Sequence, residues 1–217
     1  MRGWFITFEG IDGSGKSSHL RKAALYLSSR GADPVLTREP GGTAIGAQIR
    51  SLLLSKDSHG ISPEAETILY AADRAEHVRK LISPSLAAGR IVLCDRYTDS
   101  TVAFQGYGRG LDLSFINELN RVATAGLRPD LTLLFDVDPV IARGRLDVRA
   151  AGTASKEPQP ADRFDDEEHD FHNRVRQGYL ALAAGEPDRI QVIDSSVAAD
   201  EAHQRVVQSI RERLSLD

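Results

Sequence analysis

The stretch Gly10-Ile11-Asp12-Gly13-Ser14-Gly15-Lys16-Ser17 meets every fixed position of the pattern G-x-x-x-x-G-K-[ST]. An apolar run, Trp4 to Phe8, leads into it, and a helical pattern from Lys16 to about Ser29 leads out. In that strand–loop–helix setting the glycines let the backbone curl, so that successive N–H groups face phosphate oxygens. The helix N-terminus adds partial positive charge. Gly10 through Ser18 are therefore expected to cradle a nucleoside triphosphate, with Lys16 on the outer phosphates and the Ser17 hydroxyl on Mg²⁺. Asp12 stands out, because a carboxylate inside an anion site is repelled by a triphosphate. It needs a positive or donor partner directed away from the phosphates, such as a hydroxyl of a second substrate; a solvated turn aspartate is the alternative.

Working outward, short apolar runs alternate with amphipathic helical patterns, the signature of a parallel sheet covered by helices. The expected strands are 4–8, 34–37, 91–94, 131–136 and 190–193, and all but the second read as doubly buried. Helices are expected near 16–29, 43–54, 62–88 (interrupted at Pro84), 98–106, 113–125, 138–149, 166–184 and 197–214. In such α/β sheets ligands sit beyond the carboxyl ends of the strands.

The 217 residues suit one large domain, or one domain with a mobile insertion. A net charge of −4 gives no global basic field to attract nucleic acid. The single cysteine, Cys94, excludes an intrachain disulfide and fits a reducing cytosol. The N-terminus lacks a signal-type apolar core, and no apolar stretch is long enough to span a membrane.

Arginines recur where strands end: Arg38 in "TREPGG", Arg50 on the following helix and Arg96 in "DRY". Planar guanidinium groups are the preferred partners of a phosphate dianion, and only fixed cations offset the repulsion between a phosphate acceptor and a triphosphate. Separate surface ion pairs are the competing reading. Asp95 closes an apolar strand, the usual place for a carboxylate near Mg²⁺ in this loop class. Tyr70 and Arg74, and likewise Thr101 and Gln105, are four apart on expected helices and so share faces. Together they offer an aromatic, a guanidinium and an amide for a planar base; from spacing alone, core packing is the competing reading for Tyr70. The run 150–160, "AAGTASKEPQP", is polar and rich in Pro and Gly, and reads as a lid or a surface loop.

The strings "FEGIDGSGKSS", "TREPGGT", "IRSLLL", "YAADRAEH", "DRYTDST", "FQGYGRG", "RPDLTLLFDV" and "DRFDDEEHDFHNRVRQGYLALA" stand in the order and spacing of bacterial thymidylate kinases, which the chain resembles over nearly its whole length. The resemblance implies a P-loop NTPase three-layer α/β sandwich with a five-stranded parallel sheet. It implies one domain over 1–217 with a mobile lid at about 143–165, ATP and dTMP as substrates, Mg²⁺, a cytoplasmic location and a homodimer. It places Asp12 on the dTMP 3′-hydroxyl, Arg38, Arg50 and Arg96 on the dTMP phosphate, and Tyr70 against thymine. Arg74 would donate to O4, with Thr101 and Gln105 along the edge carrying the ring N–H. Lys16, Arg96 and Arg163 would be catalytic, Ser17 and Asp95 would hold the metal, and Arg143 would flank adenine. Gly13 stands where some relatives place a loop arginine, so a lid cation is expected to serve instead. Arg145, Arg149, Lys156 and Arg163 all remain open for that part. A kinase of another small acceptor and a nucleotide-dependent switch are the rival readings; a GTPase is disfavoured because no [NT]-K-x-D string occurs.

Overall fold

The structure, a computed structural model, describes residues 2–151 and 169–215, apart from the side chains of residues 149 and 150. Five strands form one parallel sheet: β1 (Phe5–Glu9), β2 (Val35–Arg38), β3 (Val92–Asp95), β4 (Leu131–Asp136) and β5 (Ile190–Asp194), in the order β2-β3-β1-β4-β5. The strand that feeds the phosphate loop is thus central. Four strands end one residue beyond the apolar runs, on Glu9, Arg38, Asp95 and Asp194. Ladder hydrogen bonds join backbones and are indifferent to side-chain polarity, so pairing continues past the last apolar residue. The charged residues are thereby carried to the sheet's ligand edge.

The core lies on both faces of the three inner strands, β1, β3 and β4; β5, expected to be buried on both faces, instead exposes Gln191 and Val192, because it is an edge strand. On one face Ile6, Phe8, Leu131, Leu133 and Phe135 meet helix α1 (Lys16–Ser29) through Leu20, Ala23 and Leu27. Helix α9 (Ala199–Leu214) joins this cluster through Ala202, Val206 and Ile210. On the other face Phe5, Val92, Cys94 and Tyr97 pack with Val78, Ile82 and Leu86. Alternating side-chain direction along β1 sends Phe5 to one layer and Ile6 and Phe8 to the other. Helices α2 (Ala44–Leu54), α3 (Pro63–His77) and α6 (Leu113–Thr124) pack side by side on one flank. α7 (Pro139–Ala151) and α8 (His169–Gly185) stand on either side of the undescribed segment 152–168.

Two expected helices are not regular. The 62–88 pattern divides into α3, a π-helical turn at Val78–Ile82, and the short α4 (Ser83–Ala87) with Pro84 in its first turn. The 98–106 pattern becomes α5 (Thr98–Thr101) followed by a π-helical stretch, Val102–Gly108. α8 is what that stretch packs against most extensively. A Cβ at Gly108 would strike Phe171 and Val175, so the close approach of α8 depends on a glycine there. Widened turns of this kind cluster at functional sites, and this one carries Phe104 and Gln105.

Candidate active site

The phosphate loop closes over the end of β1. Gly13 adopts φ +81°, and a Cβ there would run into the Ala142 carbonyl of α7. An arginine at this position would have to displace α7, which accounts for the glycine. Lys16 is 6% exposed, and its ammonium donates to the Ile11 carbonyl at 3.3 Å and to Asp12 Oδ1 at 3.2 Å. The Ser17 hydroxyl donates to Asp95 Oδ2 across the loop. These two oxygens, on α1 and at the end of β3, form an oxygen-only pair that suits a hard divalent cation. Among the described residues no cluster of three or more His, Cys, Asp or Glu side chains could hold a metal by itself.

Asp12 finds its partner in Arg96, whose Nη2 donates to the same Oδ1 at 2.8 Å. Burial pushes the Asp12 pKa up, but the Arg96 guanidinium and the Lys16 ammonium outweigh it and hold the carboxyl well below the usual carboxylate range. Arg96 itself sits in the left-handed region at φ 71°, unusual for a residue with a Cβ. Its backbone N–H donates to the Phe8 carbonyl, its Nη1 donates to Ser100 Oγ and Tyr179 Oη at 3.1 Å each, and its guanidinium lies 4.8 Å from the Phe104 ring centroid. Behind it, Glu9 accepts from Ser100 Oγ at 2.6 Å, from Tyr179 Oη at 2.9 Å and from the Tyr97 amide at 2.6 Å. Burial, and then the neighbouring Asp99 charge, push the Glu9 pKa up to about 7 against the pull of those hydroxyls and Arg96.

One cleft of about 410 Å³ is lined by Asp12, Lys16, Ser17, Arg38, Arg50, Asp95 and Arg96. Arg38 reaches it from the edge strand, exposed, and Arg50 from α2, where its Nη1 donates to the Pro40 carbonyl at 3.0 Å. A second cleft shares Asp12, Glu39, Arg50 and Arg96 with the first and continues past Tyr70, Arg74, Thr101, Phe104 and Gln105. The two clefts therefore meet at Asp12, Glu39, Arg50 and Arg96. Arg74, 1% exposed, donates to Glu39 Oε2 (2.8 Å), Thr101 Oγ1 (3.0 Å), Asn120 Oδ1 (2.7 Å) and the Tyr97 carbonyl (3.0 Å). Those bonds occupy four of its five N–H groups. Glu39 in turn accepts at 2.9 Å from, or shares a proton with, His77 Nδ1.

Every described residue expected for the acceptor lies along this paired cleft. Ser18 is exposed on the first turn of α1. Arg143 is exposed and pairs with Asp147 one turn on, whereas Arg145 donates to the Ser195 carbonyl at 2.7 Å. Ser195 Oγ donates in turn to the Ser14 carbonyl at 2.5 Å, so it is Arg145 that is tied to the phosphate loop. Arg163 and Lys156 lie outside the described residues, as does the side chain of Arg149. The sequence reading missed Glu9, Glu39, Ser100, Phe104 and Tyr179. A carboxylate ending an apolar strand (Glu9) and another following Arg38 (Glu39) were visible signals, but nothing local marks Tyr179.

A family model described as thymidylate kinase matches residues 8–206. The chain is 53% identical over 195 residues to a thymidylate kinase of Desulfovibrio desulfuricans, covering 88% of each chain. It is 48% identical over 211 residues to one of Nostoc punctiforme, covering 97% of this chain and 96% of the other. Its fold is similar to the crystal structure of thymidylate kinase from Ehrlichia chaffeensis, with a TM-score of 0.77 and 35% identity over 97% of this chain and 100% of that one. Likeness of that breadth, on a sheet whose carboxyl edge gathers these cations around one cleft, places the chain in the thymidylate kinase family.

Proposed function

We propose a division of labour along the sheet edge for the family's reaction: this chain transfers the γ-phosphoryl group of ATP to dTMP, giving dTDP and ADP for dTTP synthesis. The observation that carries the residue assignment is the convergence of Lys16 and Arg96 on Asp12 where the two clefts meet. The loop Gly10–Ser18 and Lys16 hold the donor phosphates. Arg38, Arg50 and Arg96 hold the phosphate of dTMP, and Arg96 stands between the two substrates. Asp12 Oδ1 engages both cations, leaving Oδ2 to accept from the sugar hydroxyl. Ser17 and Asp95 would hold a Mg²⁺, which when bound neutralises triphosphate charge. A phosphate monoester is already ionised near neutral pH, so the acceptor needs no general base. The protein's part is alignment and charge stabilisation in a place that excludes water.

Tyr70, Arg74, Thr101 and Gln105 form the base pocket, with the remaining N–H of Arg74 directed to a carbonyl acceptor such as thymine O4. The lid is assigned to about 143–165 of a single domain, with Arg163 as its catalytic cation. Arg145, anchored beside the phosphate loop, is better placed than Arg143 to flank the adenine. A cytoplasmic location is supported by the lone, buried Cys94, and no described helix is long and apolar enough to cross a membrane. A homodimer is supported by the large apolar side chains exposed on α2, α3 and α6. The test is ADP formation with ATP and each of dTMP, dUMP, dCMP and thymidine. Turnover is expected to be fastest with dTMP and absent with thymidine, which brings no phosphate to the arginines. Equal turnover of dTMP and dCMP would overturn the base-pocket assignment.

A further inference from the structure

Gln105 lines the base pocket, and Glu66 of α3, which does not line it, stands next to Gln105. Both are buried, Gln105 at 2% and Glu66 at 1% exposure, and Gln105 Nε2 donates to Glu66 Oε1 at 2.7 Å. The other oxygen, Oε2, accepts from Arg109 at 3.5 Å, and Arg109 in turn rests over the Phe171 ring. A carboxylate offers only acceptors. Were the Gln105 amide reversed, two acceptor oxygens would confront each other at that distance with no water to separate them. The amide is therefore held one way round, with its nitrogen on Glu66 and its carbonyl oxygen left for whatever occupies the cleft that Gln105 lines.

We propose that Glu66, which no assignment above includes, is a specificity-determining residue: by fixing Gln105 as an acceptor it makes the pocket demand a ring N–H from the base. This rests on the reading that the pyrimidine lies against Arg74, Thr101 and Gln105. Thymine and uracil carry an N–H at ring position 3 beside a carbonyl at position 4, which matches an acceptor from Gln105 beside a donor from Arg74. Cytosine inverts both groups, bringing an acceptor nitrogen to Gln105 and an amino group to Arg74. Arg74 has only donors to offer, and Glu39 holds it in place, so one buried carboxylate positions the donor and the other sets the acceptor of the hydrogen-bond pattern. Glu66 acts through Gln105 and touches no reacting atom, so it is a positioning residue.

The variant Glu66→Gln keeps the shape and can hydrogen-bond an amide in either sense, which frees Gln105 to turn over. The readout is the ratio of kcat/KM for dTMP to that for dCMP, with the dTMP to dUMP ratio as internal control. In Glu66→Gln the first ratio is expected to fall about tenfold, the worth of one hydrogen bond reversed, while Arg74 continues to resist cytosine. The second ratio is expected to hold within about twofold, because uracil and thymine share that edge and differ by a methyl. Loss of folded protein or general loosening scales all three substrates alike and leaves both ratios in place. Should Glu66→Gln not fold, Glu66→Asp withdraws the carboxylate by one methylene and the same two ratios are read. Unchanged dTMP to dCMP discrimination in a folded variant that still uses dTMP overturns the inference alone. Failure of the parent protein to prefer dTMP over dCMP overturns the base-pocket reading beneath it.

Discussion

Glu9 is a carboxylate with no solvent exposure, set at the end of the central strand one step behind the site. It closes a ring in which Arg96 donates to Ser100 and Tyr179, and both hydroxyls donate onward to Glu9. The two hydroxyls also lie 2.8 Å from each other, so Arg96, Ser100, Tyr179 and Glu9 form one connected network. Arg96 is thereby held from behind as well as by Asp12 in front. The cost falls on Glu9, whose pKa is raised from 4.5 to about 7, first by burial and then by Asp99. Between those two values the unfolded chain releases this proton while the folded chain retains it, so stability falls as pH rises through that window. The full effect is roughly 3 kcal/mol. Glu9→Gln removes it. The melting temperature of Glu9→Gln relative to the parent is therefore expected to improve from pH 5 to about pH 7 and to level off above it, whatever the constant offset from lost hydrogen bonds. Asp73, raised to about 6 mainly by burial, and His19, lowered to about 4 mainly by burial, titrate in the same range but cancel in the comparison. A difference independent of pH would mean that Glu9 is charged throughout.

At the scale of elements, the acceptor side depends on how closely α2 meets α3. Gly46 in the first turn of α2 lies against Asp73 of α3, and a Cβ there would collide with Asp73 Oδ1. That same oxygen accepts from the Gly41 amide at 3.0 Å, so Asp73 pins the loop between Arg38 and α2. Gly46→Ala would force the two helices apart or turn Asp73 away from Gly41. The expected result is a loss of about 1–3 kcal/mol of stability, the usual cost of overpacking, with a higher KM for dTMP and an unchanged KM for ATP. Denaturant titration and steady-state kinetics check the two parts. An increase in both KM values would show that the loop's position is not set by this contact. That Gly46 answers to Asp73 was not legible in the sequence, because 27 positions separate residues that touch only after α2 folds back on α3.

For the whole molecule, α2, α3 and α6 form a flank that the sheet does not cover. Ile45 and Leu52 on α2, Ile68 on α3, and Phe115 and Val122 on α6 are 40–63% exposed there. Single exposed apolar residues are ordinary, but several on adjoining helices are what a subunit interface leaves uncovered in one protomer. Sedimentation equilibrium at micromolar concentration is expected to give a two-chain species, and Ile68→Glu to shift it toward one chain. A single-chain parent species would remove the dimer from the proposal.

Much of this protein is legible in its sequence, for a reason of range. The phosphate loop, α1 and the central strands are local: glycine conformation, helical period and apolar runs act within a few residues, and β4 and α1 begin and end where the pattern puts them. Arg38 and Arg96 were legible because the strand ends of a parallel sheet share one edge whatever the strand order, and Arg50 because it stands on the helix that follows Arg38. What only the tertiary structure decided is which neighbours those side chains meet. Asp12 turns to Arg96, Glu66 fixes Gln105, and Glu9 receives Tyr179 from 170 residues away. Such pairings carry no periodic signal. They follow from burial, which strips water from each polar group and obliges it to find its partner wherever the folded chain has brought one.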